Sequence, residues 1–113
     1  MGYVVDYYEL ASSAPRQSGA FFAKAFGWGL KSYGPDYTEL QESGILGGIT
    51  ADEADKNSAP LIGIRAEDIA AAEAAVVAAG GVITRPIYDF PGGRRFYFRE
   101  PGGNEMMVYM AID

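Results

Sequence analysis

Residues 92–110 read GGRRFYFREPGGNEMMVYM and are typical of a β-hairpin. Two segments rich in aromatic and other apolar residues flank the turn Pro101-Gly102-Gly103. In the first segment Phe96 and Phe98 alternate with polar side chains, as expected of a strand that buries one of its faces. We therefore predict two antiparallel strands, with Phe96 and Phe98 in the core.

Outward from this hairpin, the predicted order is a strand, a helix and three strands, and it occurs twice along the chain. In the first helix Phe22, Ala25 and Phe26 recur at helical spacing, and Gly27 ends it. The predicted elements are 3–10, 12–27, 28–34, 36–42 and 44–50 in the first half, and 59–65, 66–81, 82–90, 93–100 and 104–110 in the second.

The two halves can be overlaid, because FAKAFGW at 22–28 falls on VVAAGGV at 76–82, 54 residues later. This duplication predicts an α+β fold in which two tandem βαβββ modules form a curved mixed sheet with the helices outside. We predict a single domain over residues 1–113. Its modules lie at about 1–51 and 59–113, and the polar segment at about 52–58 is the linker.

The composition excludes several kinds of site and partner. A net charge of −6, from 15 acidic and 9 basic residues, argues against nucleic acid, because phosphate binding requires a basic face. The chain has no cysteine for disulfides or thiol catalysis, and no histidine, the usual metal ligand and general base. The longest apolar stretch, residues 69–83, is too short to cross a bilayer, and the N-terminal residues lack the basic region of a signal peptide. We therefore expect a cytoplasmic protein without a membrane partner.

Three passages resemble, in their order and spacing, the vicinal oxygen chelate superfamily of glyoxalase I, ring-cleaving dioxygenases and bleomycin-resistance proteins. The passages are DYYELASSAPRQSGAFFAKAFGW at 6–28, AEDIAAAEAAVVAAGGVITRPI at 66–87 and PGGRRFYFREPGGNEMMVY at 91–109. The last contains Glu100-Pro101-Gly102-Gly103-Asn104-Glu105, which is similar to the family's C-terminal Asp/Glu-Pro-x-Gly-Asn-Glu pattern. The resemblance implies the glyoxalase/bleomycin-resistance fold, and it implies a homodimer, since relatives of this size are usually homodimers.

The resemblance also implies where a metal site would lie. Metal enzymes of the family hold a divalent ion with His and Glu side chains from four strands, and the matching positions here are Tyr7, Leu61, Met107 and either Gly47 or Gly48. None of these residues is a hard-oxygen or imidazole donor of the usual kind. We therefore predict that the protein holds no metal and no cofactor.

Strand alternation places a set of polar and aromatic side chains on the sheet face away from the helices. The predicted ligand-binding residues are Tyr7, Glu9, Tyr37, Glu39, Gln41, Arg95, Tyr97, Arg99, Glu105, Met107 and Tyr109. The tyrosines and carboxylates can hold a cation or an amine. Arg95 and Arg99 can instead bind a carboxylate or phosphate, or the charged side chains can simply pair across strands.

Three hypotheses for the function follow. The first is a metal-free, small-molecule-binding protein of the glyoxalase/bleomycin-resistance type, with a polar or aromatic ligand. The second is a glyoxalase-type lyase or isomerase that uses Glu9 as a candidate catalytic base, or a displaced divalent-metal site made from Glu9, Glu39 and Glu105. The third is a structural or partner-binding domain with a vestigial pocket.

Overall fold

The computed structural model describes residues 2–52 and 60–112 of the chain. The elements are β1 (Val4–Ala11), α1 (Pro15–Phe26), β2 (Gly29–Ser32), β3 (Tyr37–Gln41), β4 (Leu46–Thr50), β5 (Leu61–Arg65), α2 (Ile69–Ala78), β6 (Val82–Phe90), β7 (Gly93–Arg99) and β8 (Glu105–Ala111). The order strand, helix and three strands therefore occurs twice. The predicted α+β class with two βαβββ modules is confirmed. Within the described ranges, neither helix is long and apolar enough to span a membrane.

The chain divides into two compact units. We call Tyr7–Leu61 the N-terminal unit, and Met1–Asp6 together with Ile62–Asp113 the C-terminal unit. The predicted single domain and its module boundaries stay predictions. The predicted linker at 52–58 lies, apart from Asp52, outside the described residues.

In the N-terminal unit the strand order is β2-β3-β4-β1. Strand β1 runs parallel to β4, and the other two pairs are antiparallel. Helix α1 lies on the face that carries Thr38 and Leu40, since a Cβ at Gly19 of the helix would be 3.0 Å from Thr38 Cγ2. Because side chains alternate along a strand, the neighbours of Thr38 and Leu40 on β3 lie on the face away from α1.

Helix α1 begins three residues later than the sequence predicts. The Ser12 hydroxyl accepts a hydrogen bond from the Ala14 backbone N–H at 3.0 Å, which holds this segment in a turn before the helix. Pro15 then takes the first helical position, where its missing N–H costs no hydrogen bond. The helix ends at Gly27, whose φ of +77° is in the left-handed region that favours glycine.

In the C-terminal unit the strand order is β5-β8-β7-β6. The β5–β8 pair is parallel, and β7 pairs antiparallel with both β8 and β6. One face of this sheet packs on α2 in a cluster of buried side chains, and the placement of Phe96 and Phe98 in the core is confirmed. The buried members of the cluster are Ala66, Ile69, Ala72, Phe96, Phe98 and Val108.

Strand β6 departs from regular pairing with β7. Its register shifts between Ile83 and Arg85 and again between Arg85 and Tyr88. Strict alternation would place Arg85 on the same face as Ile83 and Ile87, which pack against the core. The shift instead pairs Arg85 with Tyr97, so the guanidinium lies on the face away from α2.

The turn between β7 and β8 is held by the carboxylate of Glu100. Glu100 accepts hydrogen bonds from the backbone N–H groups of Gly102 at 2.7 Å and Asn104 at 3.1 Å, and from the Asn104 side chain. The two backbone hydrogen bonds are the largest cause that lowers the pKa of Glu100 below its ordinary value of 4.5. Gly103, with φ +102°, supplies the left-handed residue of the turn.

This geometry predicts that Glu100 stabilises the fold in a pH-dependent way. A lowered pKa means that the stabilisation is present above pH 4.5 and is lost as the pH falls through the folded-state pKa. We expect Glu100→Gln to lower the free energy of unfolding at pH 7, with the deficit shrinking below pH 4.5. Urea denaturation from pH 3 to pH 7 measures this. Glu67→Gln, at an exposed residue of the same unit, is the control. An equal pH dependence of both variants would contradict the prediction.

Candidate functional site

The N-terminal unit carries a row of polar side chains on the sheet face away from α1. Strand β4 lies between β1 and β3, and the pairing register places Glu9 and Glu39 on either side of Gly48. Tyr7 and Tyr37 lie on the same face, by alternation along β1 and β3. The five predicted binding residues of this unit, Tyr7, Glu9, Tyr37, Glu39 and Gln41, therefore share one face.

Two tyrosines of this face lie over Gly48. The hydroxyls of Tyr7 and Tyr37 are hydrogen-bonded to each other. Both occupy the space that a Cβ at position 48 would need. The Tyr37 hydroxyl also contacts Glu9 Oε2 at 3.4 Å, and Glu9 is only 4% exposed. The absence of a side chain at Gly48 thus lets a buried carboxylate and two phenols meet. We call Tyr7, Glu9 and Tyr37 the tyrosine–glutamate group.

The other two predicted residues of this unit interact with each other. Gln41 Nε2 donates a hydrogen bond to Glu39 Oε1 at 2.9 Å. Both side chains are half-buried, and they lie two residues apart on the same face of β3. Because the Gln41 amide is neutral, the Glu39 carboxylate keeps its negative charge. It stays a hydrogen-bond acceptor that is partly exposed to solvent.

In the C-terminal unit the face away from α2 carries a buried arginine among aromatic rings. Arg95 is 7% exposed, and its guanidinium carbon lies 4.8 Å from the Phe90 ring centre, 5.3 Å from that of Tyr88 and 5.8 Å from that of Tyr97. Arg95 Nε donates to the Tyr88 hydroxyl, and Nη1 donates to Met107 Sδ at 3.4 Å. The surrounding side chains therefore fix the position of the guanidinium.

A second guanidinium lies beside the first. The Arg85 guanidinium carbon is 3.6 Å from the centre of the Tyr88 ring, a stacking distance, and 5.6 Å from that of Tyr97. We call the five residues Arg85, Tyr88, Phe90, Arg95 and Tyr97 the arginine–aromatic cluster. The sequence predicts only Arg95 and Tyr97 of these. Simple alternation along β6 gives the wrong face for Arg85, because the register shifts are not visible in the sequence.

Two further predicted residues pair with each other near the end of the hairpin. Arg99 Nη2 lies 4.0 Å from Glu105 Oε1, and Arg99 Nη1 donates to the Gly103 carbonyl at 3.1 Å. The Thr84 hydroxyl and Glu105 Oε2 are hydrogen-bonded at 2.5 Å. The Arg99 side chain is 49% exposed, so this ion pair is of the cross-strand kind that contributes little in solvent.

Tyr109 belongs to a third polar group, which the sequence does not predict. Its hydroxyl donates to Asp6 Oδ1 at 2.5 Å and accepts from Arg65 Nη1 at 3.2 Å. The Arg65 and Asp6 side chains are 3.6 Å apart. Burial, followed by the hydrogen bond to Asp6, raises the pKa of Tyr109, so this phenol stays protonated and a donor at neutral pH.

Of the predicted residues, the structure therefore brings some together and separates others within each unit. In the N-terminal unit they form two sets, which are Tyr7 with Glu9 and Tyr37, and Glu39 with Gln41. In the C-terminal unit they form three sets, which are Arg95 with Met107 and Tyr97, Arg99 with Glu105, and Tyr109 with Asp6 and Arg65. Their roles in binding a ligand stay predictions.

Mixed sheets built from repeated βαβββ modules define the glyoxalase-type class of α+β folds. The family model described as Glyoxalase/Bleomycin resistance protein/Dioxygenase superfamily matches residues 4–108. The chain belongs to this superfamily, and the resemblance found in its three sequence passages is confirmed.

Solved structures with the same fold include enzymes and a further superfamily member. A NAD-dependent benzaldehyde dehydrogenase from Legionella pneumophila is 11% identical, with a TM-score of 0.77 over 95% of this chain and 99% of that one. A superfamily member from Vibrio splendidus is 18% identical, with a TM-score of 0.71 over 96% and 99%. Methylmalonyl-CoA epimerase from Mycobacterium tuberculosis is 13% identical, with a TM-score of 0.74 over 96% and 88%. At these identities the likeness shows the fold alone. No curated protein matches the chain.

The residues at the four positions that the family resemblance matches to metal ligands do not fit a divalent cation. Met107 is 2% exposed, and its sulfur accepts from the positively charged Arg95, so a cation beside it would be repelled. Leu61 is buried and apolar, and neither Gly47 nor Gly48 has a side chain. The Tyr7 hydroxyl is hydrogen-bonded to the Tyr37 hydroxyl. Among the residues of 2–52 and 60–112, no three His, Cys, Asp or Glu side chains form a group that can hold a metal ion. The displaced carboxylate site therefore finds no support in these ranges.

The position of the tyrosines over Gly48 is open to a direct test. We expect Gly48→Ala to lower the free energy of unfolding by about 1–3 kcal/mol, because the added methyl group must displace both phenols. In a Tyr37→Ala background the same substitution should lower the free energy of unfolding by less, because one of the two phenols that the methyl group must displace is absent. Urea denaturation of the four proteins of this double-mutant cycle measures the coupling. Equal costs in the two backgrounds would show that Tyr37 does not lie over Gly48.

Proposed function

We propose that this superfamily member binds a small organic molecule, polar or aromatic, without a metal ion or cofactor. The observation that carries the proposal is that each unit keeps a charged side chain buried among aromatic residues on the sheet face away from its helix. These side chains are Glu9, 4% exposed, and Arg95, 7% exposed. Small-molecule sites commonly combine aromatic walls with a few fixed polar groups.

The stability of the fold does not explain why charged side chains are buried at these two places. Transfer of a charged group from water to a protein interior costs several kcal/mol before any compensation, and well-packed apolar residues often replace buried ionic groups without loss of stability. In the C-terminal unit the core that packs on α2 is already apolar. A buried guanidinium on the opposite face is therefore better explained by recognition than by folding.

The two groups offer different chemistry to a ligand. The tyrosine–glutamate group presents a carboxylate and phenol oxygens, which suit an amine or a hydroxyl. The arginine–aromatic cluster presents a cation and ring faces, which suit an anion or a flat apolar group. We also propose, from the family resemblance, a cytoplasmic homodimer.

The buried carboxylate of Glu9 favours a second candidate function. In a glyoxalase-type lyase or isomerase, Glu9 would act as general base and take a proton from carbon, with the Tyr37 hydroxyl holding the carboxylate in place.

Isomerisation of the hemithioacetal of methylglyoxal and glutathione is the assay for this second candidate function. Glu9→Gln should abolish the turnover and leave binding of the conjugate measurable. No turnover by the wild-type protein would remove this candidate.

A thermal-shift screen tests the binding function. We expect at least one class among aromatic acids, amine-bearing heterocycles and glutathione conjugates to raise the melting temperature. A ligand at 100 times its Kd stabilises the folded state by about 2.7 kcal/mol. Glu9→Gln or Tyr97→Ala should weaken the shift, according to which unit the ligand contacts. Arg94→Gln, on an exposed side chain paired with Asp89 at 3.1 Å, is the control. If no compound shifts the melting temperature, the binding proposal fails.

The proposed absence of a metal is tested separately. We expect the protein, treated with a chelator and then given nickel, zinc or manganese, to keep its melting temperature and to retain no metal after dialysis. The physical reason is that Met107 lies against Arg95 at a position where the family's metal enzymes supply a ligand. Stoichiometric metal in elemental analysis, or a melting temperature raised by one of these ions, would overturn the metal-free part of the proposal.

A further inference from the structure

Helix α1 and the residue after its C-terminal glycine carry four aromatic rings at the surface of the N-terminal unit. Phe21 is 61% exposed and Phe26 is 60% exposed. Phe21 packs edge-on against both Phe22 and Phe26, and Trp28 stacks on Phe22 with the ring centres 5.4 Å apart. We call Phe21, Phe22, Phe26 and Trp28 the aromatic patch. Because each ring packs on another ring, the patch presents one continuous apolar surface to solvent.

The aromatic patch is large for a surface that meets only water. A fully buried aromatic side chain hides about 150–250 Å², so Phe21 and Phe26 together leave roughly 200–300 Å² exposed. Phe22 and Trp28 are partly exposed as well. The largest continuous apolar patch on a soluble monomer is commonly a binding surface. The aromatic patch is therefore a candidate docking surface.

Helix α2 of the C-terminal unit borders an apolar groove of about 610 Å³, which we call the α2 groove. Glu73 is the charged residue of its lining, and Val77, also in the lining, is 56% exposed. Short alanine side chains leave space above a helix, and larger side chains of another helix can insert there. The apolar lining includes Ala70, Ala74, Val77, Ala78, Ile83 and Pro86.

The charges at the two surfaces are opposite. Helix α1 contains Arg16 and Lys24 and no acidic residue, whereas α2 contains Glu73 and no basic residue. Lys24 follows Phe21 by three positions, so the two side chains are neighbours on the helix surface. A second aromatic patch packed on the first would bring two lysines together, but the α2 groove offers a carboxylate to Lys24. The charges therefore favour contact between the patch and the groove.

This contact forms between two copies of the chain. Phe21, Phe26 and Val77 are all more than half exposed within one copy, so the chain does not cover its own patch with its own groove. A membrane surface would account for the aromatic rings beside a lysine, but it would leave the α2 groove without a partner. A second copy accounts for both surfaces.

We infer that the aromatic patch of one copy docks in the α2 groove of a second copy, with Phe21 and Phe26 against the alanines and Lys24 beside Glu73. The contact joins two different surfaces, so a closed dimer contains it twice. This inference rests on the proposed homodimer and names the two surfaces that form it.

Analytical ultracentrifugation of the full chain over a series of protein concentrations measures the dissociation constant of the dimer. We expect Phe21→Ser to weaken the dimer about a hundredfold, because each lost ring contact costs about tenfold and the dimer contains two. Tyr33→Ser is the control, since Tyr33 is a 53% exposed aromatic residue outside the patch, and it should leave the dissociation constant unchanged. Equal melting temperatures of the variants, measured where each is monomeric, show that they are folded.

Charge exchange tests the pairing of Lys24 with Glu73. Lys24→Glu and Glu73→Lys should each weaken the dimer about tenfold, because each brings like charges together at both contacts. The variant with both substitutions should regain most of the affinity, since the pair is restored with its signs exchanged. Lys31→Glu and Glu67→Lys make the same charge changes at exposed residues outside the two surfaces, and they should change the dissociation constant less than about twofold.

The outcomes separate this inference from the proposed homodimer. A dimer whose dissociation constant is unchanged in Phe21→Ser, or one that the double charge exchange does not restore, would overturn the inference and leave the homodimer standing. Binding of the wild type to phosphatidylglycerol vesicles that is lost in Phe21→Ser, with no change in self-association, would overturn it in favour of a membrane partner. A chain that stays monomeric at every concentration would overturn both.

Discussion

The packing of Phe96, Phe98 and Val108 against α2 fixes the side-chain directions along the hairpin β7–β8. Successive side chains of a strand point to opposite faces, so burial of the two phenylalanines sends Arg95, Tyr97 and Arg99 to the other face. The same rule in β8 sends Met107 and Tyr109 away from α2 once Val108 is buried. The burial of apolar side chains on one face of the sheet thus determines which polar and aromatic side chains lie together on the other face.

The polar faces of the two units differ in charge. In the N-terminal unit a carboxylate is buried beside phenols, and in the C-terminal unit a guanidinium is buried beside aromatic rings. In both units tyrosine is the main neighbour of the charged group. Its ring covers apolar surface and its hydroxyl is both a donor and an acceptor, so one residue type can accompany either sign of charge. Tyrosine therefore lies beside the buried charged side chain in both units, although Glu9 and Arg95 have opposite charges.

Much of the fold could be predicted from the sequence, because the signals for it are local. These signals are the turns rich in glycine and proline and the alternation of apolar and polar side chains along β3, β7 and β8. Because β6 shifts register twice, the alternation that correctly places Tyr97 gives the wrong face for Arg85. The contact between Tyr7 and Tyr37 joins residues 30 positions apart, and it depends on the register of β4 between their strands. The Asp6–Arg65–Tyr109 group likewise depends on long-range pairing, so sequence alternation identifies Tyr109 but not its partners.

Gly48 is one of the two glycines that the family resemblance matches to a metal-ligand position, and the space above it is filled by two phenols. A single mutation to glutamate at this position would collide with Tyr7 and Tyr37, so both tyrosines would have to become smaller first. Each of those intermediate sequences would lose the hydrogen bond between the phenols before any ligand for a metal was gained. Along single-residue steps, the introduction of a long side chain at position 48 therefore passes through less stable proteins, and selection for stability opposes it.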